Sequence, residues 1–186
     1  LEISVAALLA NDSDLDGDTL SITSIEQSIG GEAVIDGNVV RFTPTANFYG
    51  DASFAYIVSD GQGGSSVAVV TLSVLPVNDP PIVMGQIADL AVNEDNAVEL
   101  LVPADAFVDV DGQTLTLAAQ LSSGNPLPSW LQFDGNRLSG QPPANFNGVL
   151  AVTVTATDGL ATAAQQILLT INAVNDAPIL SAALPD

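Results

Sequence analysis

The sequence predicts an all-β protein built from two tandem Greek-key β-sandwiches that are joined by a short, acidic linker containing prolines. Three observations predict this fold: an internal repeat, apolar residues that alternate with a period of two, and turn residues that recur every 8 to 15 residues. Alternation with a period of two is typical of half-buried strands, and short strands at such spacing are typical of sandwiches of about 100 residues.

The internal repeat divides the 186-residue chain into two copies at an offset near 97 or 98 residues. Segments that match between the copies occur in the same order in both: 14–20 with 109–115, 46–50 with 144–148, 60–61 with 158–159, and 77–81 with 174–178. We therefore predict a first repeat over 1–79, a second over 80–176, and a linker or the start of a further repeat over 177–186. The first repeat is shortened, because the counterparts of 80–97 would precede Leu1.

The alternating pattern places strands in both copies. Leu150, Val152, Val154 and Ala156 alternate with small or polar residues, and the segments 54–58 and 167–171 alternate in the same way. Prolines 80 and 81 would interrupt any strand between the copies, because proline lacks the N–H that a sheet ladder needs. The apolar run 5–10 is too short to stand alone as a helix, so the prediction is all-β.

The charge balance excludes several functions. The chain has 22 Asp and Glu against two Lys and Arg, with no His and no Cys, and a formal net charge of -20. Nucleic-acid binding requires a basic surface, and no apolar run is long enough to span a membrane. Without His, Cys or Lys most acid–base, thiol and Schiff-base chemistry is missing, so we predict that the chain is not an enzyme. A chain that folds outside the cell without disulfides needs another constraint, and a metal ion is a common one.

The acids that recur between the copies lie at turns and strand ends. They form Asp-x-Asp pairs, single residues that end a long strand, and Asn-Asp connectors: Asp14 and Asp16 with Asp109 and Asp111, Asp60 with Asp158, and Asn78-Asp79 with Asn175-Asp176. Loops at one end of a sandwich converge, and unpaired carboxylates brought together need a cation. Ca²⁺ prefers oxygen ligands from carboxylates, amides and backbone carbonyls. The sequence therefore predicts calcium binding.

The chain resembles cadherin repeats in four motifs: Asp-x-Asp, a strand that ends in Ala-Thr-Asp-Gly, the Asn-Asp-x-Pro connector, and the early Glu94. The second copy is similar to the dystroglycan-type cadherin-like variant through the segments 107–112, 127–131 and 138–142. The first copy is similar to the cadherin-like tandem repeats of large bacterial surface adhesins through 11–18 and 47–50. The resemblance covers nearly the whole chain and implies an extracellular or cell-surface location.

The resemblance to cadherins implies that calcium lies between successive repeats. Three sites follow: an internal junction of Asn78, Asp79, Asp109, Asp111 and Asp158, an N-terminal half-site of Asp14, Asp16 and Asp60, and a C-terminal half-site of Glu94, Asn175 and Asp176. The internal junction lacks the early glutamate of the first copy. Glu2 aligns instead with Glu99, on a strand, and is a weak substitute.

Several of these residues also allow other interpretations. The segment 12–17 imitates an EF-hand loop, but the twelfth position is Thr23 where that loop needs Glu. Asp36 and Asp134 lack an acidic companion, so we expect them to be turn formers. Trp130 could present a platform for sugars, but it follows Pro128 in a segment that we expect to pack in the core. We expect Arg41 and Arg137 to pair with surface acids, and the Asn11 sequon to lie in the metal-binding loop.

These observations lead to a hypothesis about function. The chain is interpreted as a calcium-stiffened spacer or adhesion module of an extracellular or cell-surface protein, with neighbouring cadherin-like repeats as its partners. The alternative is a polysaccharide-binding module in which calcium is structural. Calcium-dependent self-association is a further possibility. A glycosidase is disfavoured, because no pair of acids stands apart in an apolar cleft.

Overall fold

A computed structural model describes residues 1–178 of the chain. The described residues are nearly all in strands or in the turns between them, which confirms the all-β prediction. The chain divides into two compact units, Leu1–Val77 (unit 1) and the residues from Asn78 onward (unit 2). The exact domain limits of 1–79 and 80–176 stay a prediction.

Unit 1 contains six strands in two antiparallel sheets. The strands are β1 (Glu2–Ser4), β2 (Ser21–Ile29), β3 (Gly31–Asp36), β4 (Val39–Pro44), β5 (Gly50–Ser59) and β6 (Ser65–Val74). One sheet has the order β1-β4-β3 and the other the order β2-β5-β6. The predicted alternation appears in β5, where Phe54, Tyr56 and Val58 are buried. Phe54 stacks on Phe42 of the other sheet with ring centroids 6.2 Å apart, so the core lies between the sheets.

One short helix departs from the all-β expectation. Helix α1 (Val5–Leu8) follows β1 directly and makes a single turn. The hydroxyl of Ser4 caps it by accepting a hydrogen bond from the backbone N–H of Ala7 at 3.1 Å, and Leu8 is buried in the core of unit 1. The cap and this contact stabilise a turn that would not persist alone. Among the described residues, no helix is long and apolar enough to cross a membrane.

Over its described residues, unit 2 contains nine strands in three sheets. The strands are β7 (Ile82–Val83), β8 (Leu90–Asn93), β9 (Val98–Leu101), β10 (Phe107–Val108), β11 (Thr116–Leu121), β12 (Leu131–Asp134), β13 (Arg137–Gly140), β14 (Gly148–Thr157) and β15 (Thr162–Asn172). The main sheet has the order β11-β14-β15-β8 and faces the sheet β12-β13-β9, while β7 pairs with β10. Strand β8 runs parallel to β15, and the other pairs among these strands are antiparallel. This strand order is that of a Greek-key sandwich.

The central inward-facing residues of unit 2 are completely buried between its two facing sheets. Val152, Val154 and Ala156 on β14 are fully buried, as are Leu138 on β13 and Leu169 on β15. These residues come from both sheets and belong to one apolar cluster. The predicted alternation therefore locates the inward face correctly in unit 2.

The turns repeat between the units. Gly37 and Gly135 adopt φ of 61° and 62° in the hairpins that follow Asp36 and Asp134, as expected if these aspartates are turn formers. Glycine adopts a positive φ without steric cost, which explains the glycine in both hairpins.

Candidate functional site

The Asp-x-Asp turn of unit 2 is shaped by its own backbone. Oδ1 of Asp109 accepts hydrogen bonds from the backbone N–H groups of Asp111 at 2.9 Å and Gln113 at 3.3 Å. Gly112 adopts a φ of 74°, which allows the chain to fold back over the carboxylate. This local geometry fixes the Asp109 side chain without any distant contact.

The connector residues are joined to this turn and to the loop after β14. The backbone N–H of Asp79 donates to Oδ2 of Asp111 at 2.8 Å, and Nδ2 of Asn78 donates to Oδ2 of Asp158 at 2.9 Å. Oδ1 of Asn78 accepts from Nε2 of Gln113 at 2.8 Å. Together with the Asp109 turn, these contacts join all five predicted junction residues, through Gln113, in one hydrogen-bonded network of unit 2, which we call the connector network.

Asp158 is held by the turn that it begins. Oδ1 accepts from the backbone N–H groups of Leu160 and Ala161, each at 2.6 Å. The N–H of Ala161, then the amide of Asn78 and the N–H of Leu160, lower the pKa of the Asp158 carboxyl from its usual value. Asp158 is therefore an ionised carboxylate at neutral pH. The stabilisation from its hydrogen bonds is lost as the pH falls through that lowered pKa.

One oxygen of the connector network has no partner. Oδ2 of Asp109 is buried without a hydrogen bond. The sole Lys or Arg in the sequence of unit 2 is Arg137, which pairs with Glu99 at 2.7 Å. A buried carboxylate oxygen without a donor or cation is costly. The donor set of carboxylates and amides fits a hard cation such as Ca²⁺.

The carboxylates are not gathered into a ready-made cluster. Within residues 1–178, no three acidic side chains lie together as a metal-binding group. Asp111 and Asp158 instead accept N–H donors from the connector. A cation that bound here would compete with these donors for the same oxygens, and calcium binding stays a prediction.

Unit 1 repeats this turn chemistry. Oδ1 of Asp14 accepts from the N–H groups of Asp16 at 2.8 Å and Asp18 at 3.1 Å, as Oδ1 of Asp109 does in unit 2. Oδ1 of Asp60 accepts from the N–H groups of Gln62 at 2.8 Å and Gly64 at 2.9 Å.

Asp14 and Asp60 line one cleft of about 430 Å³, and Asp16 does not line it. Asp12 lines this cleft as well, and its buried Oδ2 has no partner. The structure therefore unites two of the three predicted N-terminal residues and adds Asp12, whose place in the Asn-Asp-Ser-Asp run was the available signal.

Glu94 is the most deeply buried acid of the described chain, with 4% of its surface exposed. Its Oε1 accepts from the backbone N–H of Val174 at 2.6 Å, and its Oε2 is buried without a partner. Asn175 and Asp176 are exposed, and the amide of Asn175 donates to the carbonyl of Asp176 at 3.2 Å. Glu94 of the predicted C-terminal half-site therefore contacts Val174, and the other two predicted residues, Asn175 and Asp176, directly follow Val174 in the sequence.

The two aromatic residues that could present a sugar platform differ in exposure. Trp130 is half-buried and packs edge-on against Phe146 with ring centroids 5.4 Å apart, and both residues pack against the core cluster of unit 2. Tyr49 is 59% exposed in unit 1. The polysaccharide alternative and the absence of enzyme activity stay predictions.

The two sandwiches with acidic loops define a class: tandem β-sandwich domains of the cadherin-like and Ig-like kind. Residues 80–173, just over half of the chain, match the family described as "Putative Ig domain" (He_PIG), and residues 1–75 match the cadherin-like domain family. The chain belongs to this Ig domain family, with a cadherin-like domain in tandem. Domains of both kinds are typical of extracellular proteins. The dystroglycan type of the second copy and a bacterial adhesin as its source stay predictions.

Three known proteins are similar to this chain over part of their length. Protein GAMETE EXPRESSED 2 of Arabidopsis thaliana is 35% identical over 79 residues, which are 42% of this chain and 8% of that protein. An endo-fucoidan hydrolase of glycoside hydrolase family 107 is 26% identical, over 86% of this chain and 24% of its own, with a TM-score of 0.40. The N-terminal Ig1-2 module of the Drosophila receptor tyrosine phosphatase DLAR is 10% identical, over 77% of this chain and 75% of its own, with a TM-score of 0.36. The chain thus spans a small fraction of the first two proteins.

Proposed function

We propose that the chain is a calcium-binding module of an extracellular or cell-surface protein, in which Ca²⁺ stiffens a spacer or adhesion repeat. The observation that carries the proposal is the connector network, where Asp109 keeps a buried oxygen without a partner while Asn78 and Asp79 are tied to Asp158 and Asp111. Bound calcium would supply positive charge to the connector network, because the one cationic side chain of unit 2, Arg137, pairs with Glu99.

The residues that would hold the ion have distinct roles. Asp109 and Asp111 come from one turn, and Asp158 comes from the loop after β14, so the ion would join two loops of unit 2. Asn78 and Asp79 would bring the connector to the same ion through side-chain or backbone oxygens. Because the connector then becomes fixed to the loops, its freedom to hinge would fall, which is the mechanical function of a stiffened spacer.

Calcium titration calorimetry of the chelator-treated chain tests this proposal. We expect saturable binding in the starting chain, and its loss or strong weakening in the double variant Asp109→Ala, Asp111→Ala. The matched control is Asp134→Ala, at a turn without an acidic companion, which should bind calcium as the starting chain does.

Thermal unfolding provides a second measurement. A ligand at 100 times its Kd stabilises the folded state by about 2.7 kcal/mol, so calcium should raise the melting temperature of the starting chain and the Asp134→Ala control. The double variant should gain less, and only from any further site. Absence of binding to the starting chain at millimolar calcium would contradict the proposal.

A further inference from the structure

Gln113 links two parts of the connector network. Its backbone N–H donates to Oδ1 of Asp109 at 3.3 Å, and its side-chain Nε2 donates to Oδ1 of Asn78 at 2.8 Å. Nδ2 of Asn78 in turn donates to Oδ2 of Asp158 at 2.9 Å. Gln113 therefore connects the Asp109 turn with Asn78 of the connector and, through Asn78, with the loop after β14.

The carboxylate of Asp158 fixes the direction of these hydrogen bonds. An ionised carboxylate only accepts hydrogen bonds, so the amide of Asn78 must turn its nitrogen toward Asp158. The oxygen of the same amide then faces Gln113, and only the nitrogen of Gln113 can donate to it. Asn78 is thereby held from both sides in one of its two amide orientations. We call the chain of contacts from Gln113 through Asn78 to Asp158 the amide relay.

The amide relay holds Asn78 in the orientation that opposes a cation. Ca²⁺ takes oxygen ligands, and the only side-chain oxygen of Asn78, Oδ1, is engaged by Gln113. Nδ2 of Asn78 meanwhile engages Oδ2 of Asp158, one of the oxygens proposed for the ion. For Oδ1 of Asn78 to bind the ion, the amide must leave Asp158 and reverse its orientation. Both hydrogen bonds of the relay resist that movement.

The side-chain part of the relay is particular to unit 2. Asp18 stands at the position of Gln113 in unit 1, at an offset of 95 residues, and its backbone N–H donates to Oδ1 of Asp14 at 3.1 Å. The backbone contact is therefore common to both Asp turns. The side chains differ in chemistry, because an ionised aspartate cannot donate a hydrogen bond to an amide oxygen whereas glutamine can.

We propose that Gln113 is a positioning residue that lowers the calcium affinity of the connector network by holding the Asn78 amide on Asp158, a role that rests on the calcium binding proposed above. Without calcium, the relay keeps Asn78 of the connector attached to the loops of unit 2. Calcium must displace the relay before Asn78 can become a ligand. The network then responds to calcium at higher concentrations than it would without the Gln113 side chain.

Gln113→Met tests this role, because methionine has a similar length but no side-chain N–H, while the backbone N–H to Asp109 remains. Calcium titration calorimetry of the whole chain should show about two- to fivefold tighter binding in this variant, the effect expected when one hydrogen bond that is open to water is released. The matched control is Gln132→Met, at an exposed glutamine of β12, which should bind as the starting chain does. Unchanged or weaker binding in Gln113→Met would overturn the proposal.

A measurement in chelator tests the relay separately from calcium binding. By NMR, the side-chain amide protons of Asn78 should exchange slowly with water in the starting chain and faster in Gln113→Met. The amide of Asn175 is the reference in the same spectrum. It is exposed and donates to the carbonyl of the next residue at 3.2 Å, as the amide of Asn78 also does. This readout reports on Asn78 itself, so a general loss of stability would not reproduce it.

The two measurements distinguish a failure of the relay from a failure of the calcium site. An Asn78 amide that exchanges as fast as that of Asn175, or one that Gln113→Met leaves unchanged, would overturn the relay whatever the chain binds. If Gln113→Met releases the Asn78 amide but no variant binds calcium, the proposed function is contradicted, and with it the effect of Gln113 on affinity.

Discussion

Unit 1 and unit 2 use the same loop chemistry but close their cores to different extents. Asp14 and Asp109 each accept the N–H groups two and four residues later, although the surrounding sequences differ. The core strands diverge, because Leu169 is fully buried under β8 whereas its counterpart Leu72 is half-buried. An Asp turn requires only its own neighbours, whereas burial of a strand residue requires another segment to arrive. Loop geometry is therefore the more robust part of the repeat.

The largest expected difference between the units concerns these two leucines. Leu169→Ala should destabilise unit 2 by about 3 to 5 kcal/mol, since it leaves a cavity in a closed core. Leu72→Ala should cost unit 1 about 1 kcal/mol, because much of its side chain is already in water. Urea unfolding with hydrogen exchange resolved by residue assigns each loss to its unit. Equal losses would show that the edge of β6 is covered in solution.

A smaller effect is expected at Tyr56, which has a polar group where unit 2 has the buried Val154. Its hydroxyl donates to the carbonyl of Leu8 at 3.1 Å inside the core. Tyr56→Phe should therefore cost unit 1 about 1 kcal/mol at neutral pH. The exposed Tyr49→Phe is the control and should cost almost nothing.

Tyr56 also predicts a pH dependence of stability. Burial, and then the negative charge of Asp12, raise the pKa of Tyr56 above its usual value of 10.0. Because the folded pKa exceeds the unfolded one, this stabilisation is complete below pH 10 and is lost as the pH rises through the folded pKa. Unfolding free energies measured from neutral to alkaline pH should fall more steeply for the starting chain than for Tyr56→Phe. Parallel curves would contradict the assignment.

The smallest effect is expected where the two units are most alike. Arg41 pairs with Glu2 and Asp36 at 3.1 and 2.9 Å, and Arg137 pairs with Glu99, as expected of surface ion pairs. All these side chains are about half exposed or more, so Arg41→Ala and Arg137→Ala should each change the unfolding free energy by less than about 1 kcal/mol. High salt should remove most of the difference. A larger loss would mean that one arginine contributes through packing.

Sequence reasoning located the strands because alternation with a period of two is a local signal, and β5, β14 and β15 all carry it. It also located the Asp turns, because the Asp-x-Asp and Asp-Gly motifs are local in the sequence as well. Strand β8 was harder to predict, since its four residues are too few for a pattern and its parallel pairing depends on the fold. Helix α1 depends on the Ser4 cap and on the burial of Leu8, and the second of these is a tertiary effect.

Two side chains near the predicted sites were missed because the repeat does not preserve them. Gln113 stands where the first copy has Asp18, so a search for recurring acids passes over it. Asp12 lies in a stretch of unit 1 that is two residues longer than its counterpart, since the offset falls from 97 at Glu2 to 95 at Asp14. The position of Gln113 becomes apparent only when the loops are folded, whereas Asp12 had a sequence signal in the Asn-Asp-Ser-Asp run.

Trp130, which packs against Phe146, is an intrinsic fluorophore of the chain. The sequence has one Trp, in unit 2, and two Tyr, both in unit 1. Indole emission excited at the red edge of the absorption band, where tyrosine does not absorb, therefore reports on unit 2 alone. The melting of this sandwich can be followed in the unmodified chain, without dyes or isotopes.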